Sequence, residues 1–320
     1  MKTQMYPYAA ALLNAAIVGL SFLFTKLALQ VSTPMDTLAY RFLFAWAGLT
    51  CFLFFSPKSF AIKVKGKRNI LSLLAIALFY PTLFFSFQAF GLDLATSAEG
   101  GIIFAFGPAL IALMAAYFLK EKTNKKQYAF IFLSIFGVLY IFFMKGFSIN
   151  VDQPGHSLGI LLLLLSCLSI ASYTIMARYL SVSYSPIQLT YIMVTFGFIF
   201  FNGYAIVENI INGQLLAFLA LFQNHVFVLS VGFLGILATM CTSFLSNYSL
   251  SKLSASQMGI FSNIATVISI AAGAVILHEP IYYYHIIGSV LIIIGVLGTN
   301  LSKERGVKRD TSMVHHSRTP

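Results

Sequence analysis

Three ionisable residues set in otherwise apolar stretches carry the strongest chemical signal in this chain: Lys26, Arg41 and Glu99. Charged groups in hydrocarbon are costly, and where they occur they mark ion or solute pathways. Lys26 and Arg41 each stand about five residues from the end of an apolar run that the charge pattern below places outside. At 1.5 Å rise per residue each lies roughly 7 Å deep, and similar depth lets both face one anionic site. Glu99 opens another run at the same level and could neutralise either cation. Two readings stand side by side: a solute-binding set, or side chains that snorkel to the surface or form a structural ion pair. A buried lysine gives up its proton more readily than arginine, so Lys26 is also the candidate for coupling to protons.

Uncharged polar residues mark the rest of a plausible path. Gln88, Tyr173, Asn247, Tyr248, Gln257 and Asn263 fall inside apolar runs, where a polar group facing lipid is unfavourable. Each is either a solute contact or an interhelical hydrogen bond, the latter contributing only about 0.6 kcal/mol on average. Pro81, after Tyr80, and the pair Gly107-Pro108 interrupt backbone hydrogen bonding and give kinks where gating helices bend. Ala15 with Gly19, and Ala105 with Ala109, put small residues four apart, which lets helices approach closely.

The elements that must position these residues are membrane helices. The chain is 59% hydrophobic and 9% charged, with mean hydropathy +0.87; a soluble domain carries about a quarter charged residues. Apolar runs of membrane length number ten, near 8–30, 36–55, 70–91, 97–119, 127–144, 157–179, 187–207, 226–250, 256–277 and 282–301. The apolar stretch within 208–225 is too short to cross a core of about 30 Å and reads as a segment at the membrane surface. The fold class is therefore an all-α integral membrane protein with ten transmembrane helices.

Basic residues test the map, because they collect in loops that stay cytoplasmic. Lys58, Lys63, Lys65, Lys67 and Arg68 follow the second run, Lys120, Lys122, Lys125 and Lys126 the fourth, and Lys303, Arg305, Lys308 and Arg309 the tenth. All fall on one side if both termini are cytoplasmic in the plasma membrane. The net charge of +11 is then a topology signal, with the anionic inner leaflet as its electrostatic partner and no call for nucleic acid. Lys2 precedes an apolar run too long for a secretion signal, with no convincing small-residue cleavage site, so the first run reads as an uncleaved span. Cys51, Cys167 and Cys241 sit inside spans and imply neither disulfide nor zinc site.

Residues 90–140 resemble residues 248–298 at one fixed offset of 158, with Glu121 falling on Glu279 and Gly137-Val138 on Gly295-Val296. Five runs lie in 1–145 and five in 157–301, joined by an external linker at 146–156; residues 302–320 read as a disordered basic tail. An odd number of spans per copy turns the second copy upside down, giving two inverted five-helix repeats. Glu121 and Glu279 then mark corresponding positions on opposite sides of the membrane. Both read as fold elements, each carboxylate near the positive N-terminal end of the helix that follows it, with Asn124 or Thr123 capping the first of these.

Gly19-Leu20-Ser21 with Lys26, Arg41-Phe42, Ser97-Ala98, Pro108, the Leu119-Lys120-Glu121-Lys122-Thr123 turn and Leu277-His278-Glu279-Pro280 with Gly288 and Gly295-Val296 follow one another in a telling order. In these residues, from about 8 to 301, the chain resembles the drug/metabolite transporter superfamily, specifically its EamA-type ten-helix carriers. Val18 stands where the family commonly has Trp, and Ala265-Thr266 replaces a mid-helix Pro. The resemblance implies a cavity lined by the third, fourth, eighth and ninth helices, with the first and sixth moving against them. It does not carry over a substrate, since the family's members move amino acids, metabolites and drugs.

The expected function is secondary active transport of a small organic solute by alternating access, with a proton or other ion as coupling partner. A channel of the same fold is the alternative. A membrane-embedded enzyme is a weaker one: His278, Glu279 and His285 straddle a loop with no zinc spacing, and no phosphate-binding GxxxxGK[ST] stretch occurs. Neither metal nor cofactor is expected.

Overall fold

The computed structural model describes residues 5–55, 67–118, 124–147, 155–180, 186–250, 252–253 and 255–316. Among them every regular element is helical: α1 (Met5–Leu29), α2 (Pro34–Phe55), α3 (Lys67–Ala77), α4 (Phe84–Leu94), α5 (Ser97–Ala105), α6 (Gly107–Phe118), α7 (Lys125–Phe147), α8 (His156–Leu180), α9 (Pro186–Ile211), α10 (Leu215–Ala220), α11 (His225–Gly232), α12 (Thr242–Leu250), α13 (Ala255–Ile276) and α14 (Tyr283–His316). Seven helical stretches of the described residues are long and apolar enough to cross a membrane: Tyr6–Leu29, Pro34–Phe55, Leu71–Leu94, Ser97–Phe118, His156–Ala177, Ile187–Ile211 and His225–Ser246. Two shorter apolar stretches, Ile264–Ile276 and Tyr283–Thr299, lie within α13 and α14. Large apolar side chains such as Phe54, Phe55, Leu71 and Leu216 stand exposed around the bundle, a surface suited to lipid rather than water.

Three of these stretches are composite. Between α3 and α4 the chain runs through a π-helical segment, Leu78–Leu83, in which Tyr80 leaves helical geometry at φ −143, ψ 118 immediately before Pro81. A second π-helical segment, Phe233–Cys241, joins α11 to α12. Both hold a threonine whose hydroxyl donates to the carbonyl five residues back, Thr82 to Ala77 at 3.0 Å and Thr239 to Leu234 at 2.8 Å, the widened step that a π turn requires. The third break falls at Phe106, between α5 and α6. A Cβ on Gly107 would meet nothing within 4 Å, so this glycine serves the bend with Pro108 and not close packing.

Elsewhere glycine does serve packing. A Cβ on Gly101 would fall on Ser269, on Gly19 against the Ala265 carbonyl, and on Gly288 against Ile141 and the Gly137 carbonyl. These contacts draw α5 and α1 onto α13, and α14 onto α7. Ser134 Oγ donates to the Ile292 carbonyl at 3.3 Å across the α7–α14 seam. Along that seam rising numbers on one helix meet falling numbers on the other, so the two run antiparallel.

Local details follow from sequence. Asn124 caps α7, accepting from Gln127 N at 2.8 Å while Gln127 Oε1 accepts from Asn124 N at 2.9 Å, a reciprocal cap. Residues 208–225 hold the end of α9, the short α10 and a 3-10 turn. Phe218 tucks under Tyr40, whose hydroxyl donates to the Phe218 carbonyl at 2.8 Å. The backbone read from sequence as a disordered tail is helical through His316, continuing the last apolar helix into Lys, Glu and Arg, which are good helix formers. Glu121 lies outside the described residues.

Candidate functional site

Two polar regions inside the bundle hold the three ionisable residues singled out from sequence. The first gathers at one end, where α5 begins. Thr96 caps that helix by accepting from Glu99 N at 3.1 Å, and Glu99 Oε2 accepts in return from Thr96 N at 2.9 Å. The same carboxylate meets His156 Nε2 at 2.8 Å and His285 Nε2 at 3.2 Å. Because His285 Nδ1 accepts from Tyr282 N at 3.4 Å, its Nε2 is the nitrogen that donates to Glu99. Glu99 and His285 are each 1% exposed, so this is a desolvated but well-satisfied carboxylate.

Glu279 completes the same end. The chain leaves α13 through His278 at φ 53, and Glu279 N bonds back to the Gly273 carbonyl at 3.1 Å. Its carboxylate accepts from Ser97 N at 2.8 Å, Ser97 Oγ at 2.8 Å and Ala98 N at 3.2 Å. Gly273 leaves room for it, since a Cβ there would overlap Glu279 and Ser97. The helix that Glu279 stabilises is therefore α5, 182 residues away in sequence, and not α14, the helix that follows it. The sequence reading chose the wrong helix because it considered only neighbours along the chain. Helix N-termini draw carboxylates from wherever the fold delivers them.

Lys26 belongs to this end as well. Its Nζ donates to the Leu92 carbonyl at 2.7 Å, and the carboxylates near enough to act on it are Glu279, Asp93 and Glu99.

The second region surrounds Arg41 on α2. Arg41 is 4% exposed, with its guanidinium 4.2 Å from the centre of the Phe85 ring and Nε donating to Thr239 Oγ1 at 3.3 Å. A cation over a desolvated ring gains about 2 kcal/mol, far less than removing a guanidinium from water costs. Among the described residues no carboxylate lies within ion-pair reach of Arg41. Around it stand Tyr80, packed on Phe85 at 5.2 Å and on Tyr173 at 4.8 Å between ring centres. The two tyrosines and Gln88, one turn beyond Phe85, have no hydrogen-bond partner for their polar ends among the described residues. Tyr80 and Tyr173 are each partly buried.

The structure thus places Lys26 at the end that holds Glu99, while Arg41 lies over Phe85, with Tyr173 packed on Tyr80 and Gln88 one turn beyond Phe85, so Lys26 and Arg41 have separate partners. Thr239 binds the second π-helical segment to Arg41 and Pro81 lies in the first, whereas Gly107 and Pro108 follow α5, the helix whose first turn holds Glu99. The side chains of Asn247, Gln257 and Asn263 lie outside the described residues, and Tyr248 is exposed. His156 and Thr239 were missed from sequence, and His285 was named there only with His278 and Glu279 under the enzyme alternative, not as a partner of Glu99. The repeat held the signal for Thr239, which stands at the offset of 158 from Pro81; nothing local marks His156. A groove of about 610 Å³ along α9, lined by Phe200, Tyr204, Glu208 and Asn212 among others, includes none of the residues of either region. Among the described residues no group of three or more His, Cys, Asp and Glu could hold a metal ion.

Comparison with known proteins fits this architecture. The model of the EamA-like transporter family matches residues 5–143 and again 157–301. The chain is 44% identical over 311 residues to the uncharacterized transporter YcxC of Bacillus subtilis (strain 168), covering 97% of each. It is 28% identical to the uncharacterized transporter YetK of the same organism over 95% of this chain and 90% of that one. An S-adenosylmethionine/S-adenosylhomocysteine transporter of Chlamydia muridarum (strain MoPn / Nigg) is 27% identical over 169 residues, 52% of each. A solved crystal structure with TM-score 0.60 and 17% identity, covering 93% of this chain and 98% of that one, shares the fold. These names point to a multi-pass membrane transporter rather than an enzyme, and with two matched stretches spanning most of its length the chain belongs to the EamA-like transporter family.

Proposed function

We propose that this protein is a secondary active transporter that moves a small organic solute across the plasma membrane by alternating access. In this reading the seven long helices together with α7, α13 and α14 make ten crossings, arranged as two inverted five-helix halves with both termini cytoplasmic. The observation that carries it is the pairing of two interruptions. Leu78–Leu83 and Phe233–Cys241 contain positions related by the offset of 158, and both border the buried Arg41. Broken helices meeting at mid-depth from two inverted copies are how many secondary carriers build a solute site. The bond from Ser134 to Ile292, residues 158 apart, supports the same two-fold relation, because equivalent residues touch where a symmetry axis passes.

The end cluster offers a place for a coupling proton. His156 and His285 meet on Glu99 with Lys26, Asp93 and Glu279 nearby, a run of neighbouring acids and bases along which a proton can pass. Purified protein in proteoliposomes provides the test: a carrier gives saturable uptake and counterflow of a labelled solute, whereas a channel of the same fold gives flux without counterflow. If Lys26→Ala leaves uptake and its pH dependence unchanged in folded protein, Lys26 has no part in coupling.

A further inference from the structure

We infer that Arg41 binds the carboxylate of a small organic monoanion with a flat apolar body, an assignment that rests on the carrier reading and gives its solute a chemical class. The argument begins with what Arg41 lacks. A buried guanidinium is ordinarily held by a carboxylate, yet among the described residues Arg41 has only Thr239 Oγ1 at 3.3 Å and the face of Phe85 at 4.2 Å. Both leave the outer fork of the guanidinium, Nη1 and Nη2, without a partner. That fork matches a carboxylate with two parallel hydrogen bonds.

The surroundings narrow the class. Arg41 is the one basic side chain among the described residues in contact with this region, so a single negative charge balances it and a phosphate dianion does not. No described carboxylate stands in contact to receive an ammonium, which disfavours zwitterionic amino acids. Next to the cation, Tyr80, Phe85 and Tyr173 form a run of aromatic rings spaced 5.2 and 4.8 Å apart. Such walls favour a planar apolar body through offset or edge contact. The free hydroxyls of Tyr80 and Tyr173 and the amide of Gln88 can each donate to a second polar group on the solute.

Helix geometry places the site where transport needs it. Tyr80 is in the non-helical step of the first π-helical segment and Thr239 is in the second. Rearrangement at either break moves a ligand contact, so occupancy and helix conformation are linked. A bound carboxylate would offset the cost of holding the Arg41 guanidinium away from water.

The test uses the full chain purified in detergent, with benzoate, phenylacetate and 3-phenylpropanoate each compared with its neutral amide. Thermal unfolding of the wild type is expected to shift upward by several degrees with at least one carboxylate and not with its amide. Arg41→Met is expected to abolish the shift, and Arg41→Lys, which keeps the charge and loses the fork, to weaken apparent affinity about tenfold. If Arg41→Met fails to fold, Arg41→Lys and the comparison of acid with amide still decide. Equal protection by amides, protection by chloride alone, carboxylate protection that survives Arg41→Met, or no protection by any carboxylate overturns the assignment. Counterflow separates the two claims. A neutral solute exchanged equally by wild type and Arg41→Met would keep the carrier and remove the anion site, whereas carboxylate protection without any saturable counterflow would keep the site and remove the carrier.

Discussion

The two polar regions of this bundle are built from similar residue types and obey opposite rules. At the end of the bundle, Glu99 and Glu279 each accept hydrogen bonds from at least three groups, and Lys26 has both a carbonyl and nearby carboxylates. Beside the π-helical breaks, Arg41 has one long hydrogen bond and a ring face. The first region is closed: its charges are satisfied by the fold and hold helices together. The second is open, with hydrogen-bonding capacity that the described residues do not fill. Burial alone does not separate the two regions; satisfaction does.

Mutations that break the closed region should have the largest effect on stability. Glu279→Ala strands Ser97 N, Ser97 Oγ and Ala98 N in the interior, and loss of a buried charged acceptor should cost about 3 kcal/mol or more, read as a lowered unfolding midpoint in detergent. Gly101→Ala comes next. Its methyl group would overlap Ser269, and overpacking of this kind costs about 1–3 kcal/mol in the same assay. Glu99→Gln keeps the shape but loses the charge facing His156 and His285, for about 1–2 kcal/mol. Lys26→Met removes one hydrogen bond from a half-buried side chain and should cost about 1 kcal/mol or less. None of the first three should alter protection by an aryl carboxylate.

Much of the architecture was legible in the sequence because its signals are local or periodic. Apolar runs, Pro81 and Gly107-Pro108 each report on the backbone around them, and Asn124 announced its helix start. The pairings were harder. Depth along a helix, which grouped Lys26, Arg41 and Glu99, fixes a level in the membrane but not a direction around the helix axis, and direction separates Arg41 from the other two. Glu279 was read against the helix beside it, whereas its partners are 182 and 181 residues away. His156 carries no signal until helix packing brings it onto one carboxylate with His285, which the sequence offered only beside His278 and Glu279.

The measurement that tests the contrast most directly compares Arg41→Met with Glu279→Gln in one thermal-unfolding experiment, with and without benzoate. Replacing an uncompensated buried cation by an apolar side chain of similar length removes a desolvation cost, so Arg41→Met should unfold at the wild-type temperature or above it and lose any carboxylate response. Glu279→Gln should unfold at a lower temperature and keep that response. An Arg41→Met protein destabilised as far as Glu279→Gln, with carboxylate protection retained, would contradict the account: Arg41 would then be part of the scaffold, and the open site would lie elsewhere.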